Sequence, residues 1–169
     1  MGIFKKNVPI DVLGEMIFDV IHRTIIDQAK YLLEEEDFCI VKIDEERLLN
    51  ELLFIDMFNI EYVIQWPPEI RNEIYRAYFK SQSVDDDQKP EILKMFQNKI
   101  EEYTVAWQNG PEIFFIKLAG NIHEELALNP VAWMYLENTL SSINNHNNDT
   151  IKVIAKKCKI APPTWWKKR

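Results

Sequence analysis

The chain has 169 residues, of which 47% are hydrophobic and 28% are charged. This length and composition suit one globular domain and exclude an extended disordered chain or a collagen-like repeat. The net charge of −7 is unevenly distributed: residues 151–169 hold seven basic residues and no acid, whereas residues 1–150 carry a net charge of −14, which disfavours nucleic acid as their partner.

The N-terminal residues and the number of cysteines bear on the cellular compartment in which the protein is expected. No apolar core of a signal peptide follows Lys5 and Lys6, and the two cysteines are too few for a disulfide framework. We therefore expect a cytoplasmic protein with free thiols. The most apolar stretch, residues 48–66, contains six polar residues and is predicted to be a core helix instead of a membrane span.

Apolar residues recur with the period of an α-helix through nearly all of the chain. The first helix is predicted over residues 9–36, with a charged stripe opposite its core face. The second starts at Asp44, a good N-cap, and ends at Pro67 and Pro68. It is apolar on nearly every side, which predicts a central position.

The later segments are separated by prolines, glycine and polar clusters. Gly110 and Pro111 form a tight turn that predicts an antiparallel helix pair. Residues 37–43 are interpreted as a connector, because a single strand would have no partner. Further helices are predicted over residues 69–81, 90–109, 111–128, 130–143 and 150–159, with loops at residues 83–89 and 144–149.

These segments predict an all-α fold, a single-domain irregular bundle or orthogonal array of six to seven helices. Residues 1–150 are predicted to be an acidic helical core domain. Residues 151–169 are predicted to be a basic C-terminal helix and tail that contains Trp165 and Trp166.

Asp56 is the first candidate site residue. Helical angles place Asp56 in the apolar face of the second helix, opposite a polar arc that includes Glu51. A buried carboxylate must be paired, ligated or neutralised, so Asp56 is either a functional base or ligand or a member of a structural ion pair. His123, on the predicted fifth helix, is the candidate partner as acid or second ligand, and Asn59 is placed to share a ligand site.

Other motifs offer less. Asp19 and His22 share one helix face with the spacing of a metal pair, but two ligands do not form a site. The sequence has no nucleotide-binding loop, hydrolase elbow or zinc motif, so we predict neither a metal nor a cofactor. Gly120 marks either a close helix contact or space for a ligand.

The tail is the second candidate. Trp165 and Trp166, followed by Lys167 and Lys168, are large anchors in a basic setting, which is typical of a docking segment. Its target is the body of the chain, a second copy or another protein. The apolar spacing over residues 155–165 only loosely resembles a helix-turn-helix.

These observations favour a non-catalytic helical protein-interaction or regulatory module that binds a protein partner through an acidic surface. The negative charge of that surface favours a basic partner. The tail is then a further contact or the arm of a homodimer. The alternative is an enzyme or small-ligand-binding protein with Asp56 and His123 in a core pocket. A third hypothesis is tail-mediated DNA binding. No membrane partner is expected.

Overall fold

The structure is a computed structural model that describes residues 6–36, 38, 40–63 and 67–161. For residues 6, 63, 142–148, 150–152 and 154–161 only the backbone is described. The fold is an all-α, single-domain arrangement of helices, which confirms the predicted class.

Seven α-helices lie within the described ranges, and a pair of short strands joins the two ends of this part of the chain. No helix there combines the length and the apolarity needed to span a bilayer. The elements are β1 (Lys6–Pro9), α1 (Ile10–Glu34), α2 (Glu45–Phe58), a π-helical turn (Asn59–Val63), α3 (Pro68–Ser81), α4 (Lys89–Gln108), α5 (Pro111–Ile122), α6 (Glu124–Ala127), α7 (Pro130–Lys157) and β2 (Cys158–Ala161).

The helix α2 lies at the centre of the fold. Every residue from Glu51 to Ile60 is buried, so this stretch presents no face to solvent. The helices α1, α4 and α5 pack around it. Asp44 caps α2 by accepting a hydrogen bond from the backbone N–H of Arg47 at 2.9 Å. The predicted central position of the second helix is confirmed.

Two predicted helices end earlier than the sequence indicated. The second was expected to continue to Pro67, but the backbone widens into the π-helical turn at Asn59. The fifth was expected to include His123, but α5 ends at Ile122, and the φ of −158° and ψ of 135° at His123 are those of extended backbone. The side chain of His123 caps the next short helix by accepting a hydrogen bond from the backbone N–H of Glu125.

The last helix is longer than predicted. The helix α7 runs without interruption through residues 144–149, which were predicted to be a loop, and ends at Lys157. Asparagine is less favourable than alanine in a helix by only about 0.7 kcal/mol or less, so an asparagine-rich run does not by itself end one. The predicted boundary between residues 150 and 151 therefore falls inside a helix.

The strands β1 and β2 form a parallel pair that the sequence analysis missed. Lys6 pairs with Cys158, and Pro9 pairs with Ala161. The segment predicted as the end of a helix is thus extended from Cys158 onward, and it lies beside the residues that lead into α1. The resemblance to a helix-turn-helix has no counterpart in the described backbone, because residues 158–161 form a strand.

The helices α1 and α3 approach closely at Gly14. A Cβ atom on Gly14 would lie 2.5 Å from the Cβ atom of Glu73 and 2.7 Å from its carbonyl carbon. Gly120 is less confined, since an added Cβ atom would lie 3.3 Å from that of Ala127 on α6. Gly120 therefore marks a close contact between α5 and α6.

We predict that Gly14→Ala lowers the free energy of unfolding by about 1–3 kcal/mol, the range typical of overpacking. The new methyl group would meet backbone atoms of Glu73, which cannot move without shifting α3. Urea unfolding followed by circular dichroism measures the loss. Gly120→Ala is the matched control and should change stability by less than about 1 kcal/mol, because the gain in helix propensity offsets a milder contact. Equal stability of the two variants would contradict the prediction.

Candidate functional site

Asp56 is buried in the last turn of α2, with 5% of its surface exposed. Its Oδ2 atom has no hydrogen-bond partner within the described structure. Burial raises the pKa of Asp56 from 3.8 to about 7. The structural ion pair that the sequence left open for Asp56 is therefore absent among the described residues.

No hydrogen bond joins His123 to Asp56 in the described part of the chain. The Nδ1 atom of His123 instead accepts a hydrogen bond from the backbone N–H of Glu125 at 3.3 Å, at the start of α6. Asn59 is buried and begins the π-helical turn, and its backbone N–H donates to the carbonyl oxygen of Asp56. The three residues do not form a hydrogen-bonded acid–base site.

The predicted partner-binding residues of the tail lie outside the described residues; they are Trp165, Trp166, Lys167 and Lys168. These residues follow β2, which ends beside the start of α1.

A second buried carboxylate, Glu51, has partners that the sequence analysis missed. The hydroxyl group of Tyr103 donates a hydrogen bond to Glu51 Oε2, and Lys99 Nζ lies 2.9 Å from Glu51 Oε1. Asn121 Nδ2 donates to the Tyr103 hydroxyl at 3.1 Å and to Glu102 at 3.0 Å. Burial and the adjacent Glu51 hold the pKa of Tyr103 well above its usual range, so its hydroxyl remains a donor. This network ties α2 to α4 and α5.

Three adjoining cavities form a groove beside α1 and α3, which we call the α1–α3 groove. Their volumes are about 220, 330 and 310 Å³, taken in order from the β1 end of α1. The first two share Glu15, Ala77 and Lys80, and the last two share Phe18. The other lining residues are Asp11, Glu73 and Arg76 in the first cavity, Asp19 and Ser81 in the second, and His22, Ile25, Ile26, Glu46, Leu49, Asn50, Leu53, Tyr78 and Gln82 in the third.

Acidic side chains outnumber basic ones along the groove. Both basic side chains are paired with glutamates of the groove, at distances of 3.2 and 2.8 Å. Asp19 and Glu46 are exposed and form no ion pair with the rest of the described chain. The negative charge of these two carboxylates is therefore available to a ligand. The existing pairs are Arg76 with Glu73 and Lys80 with Glu15.

The middle of the groove is aromatic. His22 stacks on Phe18 with ring centroids 5.5 Å apart, and Tyr78 packs edge-on against Phe18 at 6.2 Å. Ile26, which is 48% exposed, adds an aliphatic wall. Asp19 and His22, the pair considered for a metal, thus line this groove. The described residues contain no group of three or more His, Cys, Asp or Glu side chains that fits a metal ion.

Comparisons with known protein families, with curated proteins and with solved structures find no match to this chain. The choice of site therefore depends on geometry. Asp56 is enclosed, and the partners of Glu51 are all supplied by the chain. The α1–α3 groove is instead open to solvent and has carboxylates without partners among the described residues, so it is the candidate functional site.

The raised pKa of Asp56 predicts a distinctive pH dependence. Between about pH 4 and pH 7 the folded chain keeps a proton on Asp56 that the unfolded chain has lost, so this group lowers the free energy of unfolding as the pH rises. Asp56→Asn does not titrate. Its stability relative to the wild type is therefore expected to improve by several kcal/mol from pH 4 to pH 8, since each pKa unit corresponds to about 1.4 kcal/mol.

Urea unfolding of both proteins at the two pH values measures this change. Glu101→Gln is the control, because Glu101 is exposed and the difference between this variant and the wild type should vary by less than about 0.5 kcal/mol. A stability difference for Asp56→Asn that is the same at both pH values would show that Asp56 is not buried as a neutral acid.

Tyr103→Phe tests the Glu51 network. Removing the hydroxyl group leaves one oxygen of a buried carboxylate without its donor, which is expected to lower the free energy of unfolding by about 1–3 kcal/mol. Tyr62→Phe is the matched control and should have little effect, since Tyr62 is exposed and only its ring makes a described contact. If the two variants prove equally stable by urea unfolding, the network does not hold α2 to α4.

Proposed function

We propose that this chain is a non-catalytic helical protein-interaction module that binds a basic protein partner through the α1–α3 groove. The observation that carries the proposal is the position of Asp19 and Glu46, two exposed carboxylates without ion-pair partners among the described residues, beside the aromatic lining around Phe18. A partner segment that fits has an apolar or aromatic side chain next to lysine or arginine.

The two features of the groove have separate roles in binding. Burying an apolar side chain against Ile26 and Tyr78 supplies the attraction that holds a complex together. The uncompensated carboxylates attract a basic partner from a distance, accelerate its association and disfavour an acidic competitor. The third cavity, at about 310 Å³, is at the lower end of the sizes that hold ligands, which suits a side chain better than a large cofactor.

The enzyme hypothesis has less support. No hydrogen bond joins Asp56 to His123 among the described residues, and His123 serves as the cap of α6. In the groove, His22 stacks on an aromatic ring and makes no described hydrogen bond to a carboxylate that could orient it as a base. The groove therefore has binding character without a catalytic pair.

A labelled peptide tests the proposal. The probe is a short fluorescein-labelled peptide of lysines with two central leucines, and its affinity for the full chain is measured by fluorescence anisotropy. We expect binding that weakens at least tenfold between about 0.05 and 0.5 M salt. Charge reversal with Asp19→Lys and Glu46→Lys should weaken it by a similar factor at low salt.

The matched control is the double variant Glu101→Lys and Glu112→Lys, which makes the same change in net charge at exposed positions on α4 and α5. It should keep most of the affinity, because these residues lie outside the groove. Equal losses in the two double variants would mean that net charge alone attracts the peptide. The proposal would be wrong if the peptide bound neither the wild type nor a variant with alanine in place of Trp165 and Trp166.

A further inference from the structure

We infer that the α1–α3 groove is occupied in the free protein by the chain's own tail, residues 162–169, which docks there in cis and must leave before a partner binds. This inference rests on the proposed function, because it assigns the regulation of the same groove. Three observations support it: the point where the tail leaves the fold, its reach, and its charge.

The tail starts at the entrance of the groove. Ala161, the last residue of β2, pairs with Pro9, which directly precedes α1. The two strands are parallel, so β1 and β2 end at the same edge of the pair, where α1 begins. Asp11, two residues further, already lines the first cavity.

The reach of the tail matches the aromatic centre of the groove. Pro162 and Pro163 favour an extended backbone of about 3.1 Å per residue, which carries Trp165 and Trp166 about 12 to 16 Å beyond Ala161. Phe18 follows Pro9 by nine residues, which is about 14 Å along α1 at 1.5 Å per residue. A tail that runs along α1 therefore has the length to bring its tryptophans to Phe18, which lines both the second and the third cavity.

The basic residues of the tail also match the acidic residues of the groove in position. Lys167, Lys168 and Arg169 extend about 19 to 25 Å beyond Ala161, again at about 3.1 Å per residue, to the level of the third cavity. Glu46 lines that cavity, and Asp19, next to Phe18, lines the second cavity. The tail thus carries an aromatic pair followed by basic residues, which matches the aromatic side chains and the carboxylates of the groove.

The tail of a second copy has the same chemistry and could bind the same groove. Covalent attachment favours the chain's own tail over that of a second copy. A segment attached beside its site acts at an effective concentration in the millimolar range. Docking in cis is therefore favoured over exchange between copies at ordinary protein concentrations.

Fluorine NMR of the full chain labelled with fluorotryptophan tests the inference. Of the five tryptophan signals, those of residues 165 and 166 are identified with Trp165→Phe and Trp166→Phe. We expect them to be displaced from the signals of a free synthetic peptide of residues 161–169. Asp19→Lys with Glu46→Lys should return them to the free-peptide position, as should about 0.5 M salt.

Two controls are built into the experiment. Glu101→Lys with Glu112→Lys should leave the tail signals displaced, and unchanged signals of Trp107 and Trp133 report that each variant is folded. The inference would be overturned if the tail signals of the wild type lay at the free-peptide position. It would also be overturned if they stayed displaced in the variant Asp19→Lys with Glu46→Lys. Displacement that disappears on dilution would also overturn it, because the occupant would then be the tail of a second copy.

A combined variant separates this inference from the proposed function. Trp165→Ala with Trp166→Ala should bind the lysine–leucine peptide several-fold more tightly than the wild type, because the competing tail is weakened. An unchanged affinity would count against autoinhibition. If neither protein binds the peptide while the wild-type tail signals remain displaced, the partner-binding proposal fails and the tail contact stands.

Discussion

The burial of α2 on every side is the constraint on which the rest of the fold depends. Ten consecutive residues, Glu51 to Ile60, are buried, and at 3.6 residues per turn these side chains point in all directions around the helix. The surrounding helices must therefore form a closed shell, which α1, α4 and α5 supply. Each of them turns one face to α2 or its neighbours and one to water, and most of the charged residues on these three helices are exposed.

The same burial has opposite consequences for the two carboxylates of α2. Glu51 is met by Tyr103 and Lys99, so the loss of its hydration is offset by a hydrogen bond and an ion pair. Asp56, five residues later, meets no donor at Oδ2 in the described structure, and its proton offsets the burial instead. Such a group lowers stability at neutral pH.

The sequence was informative wherever the signal is local. The cap at Asp44 and the turn at Gly110 and Pro111 each lie where elementary stereochemistry places them, and so the helices were predicted. The sequence analysis failed where residues distant in the sequence determine the environment of a side chain. Helical angles grouped Glu51 with exposed polar residues, because the Tyr103 that satisfies it lies 52 residues away. They also kept His123 in a helix, although it caps the next one. The aspartate–histidine pair of the sequence analysis depended on that continuous helix, and no local pattern indicated the groove.

The groove follows from how α1 and α3 are packed. Glycine at position 14 lets the backbones meet at Glu73, where no side chain fits between them. Further along α1, Phe18 packs edge-on against Tyr78 in place of the glycine contact, and Phe18 lines both the second and the third cavity. A packing defect of this size would be expected to have apolar walls and to close by relaxation. The α1–α3 groove instead has exposed carboxylates among its lining residues, which favour a cation there. The strand pair ends at Ala161 beside Pro9, so the basic residues 162–169 continue the chain from a point next to the start of α1.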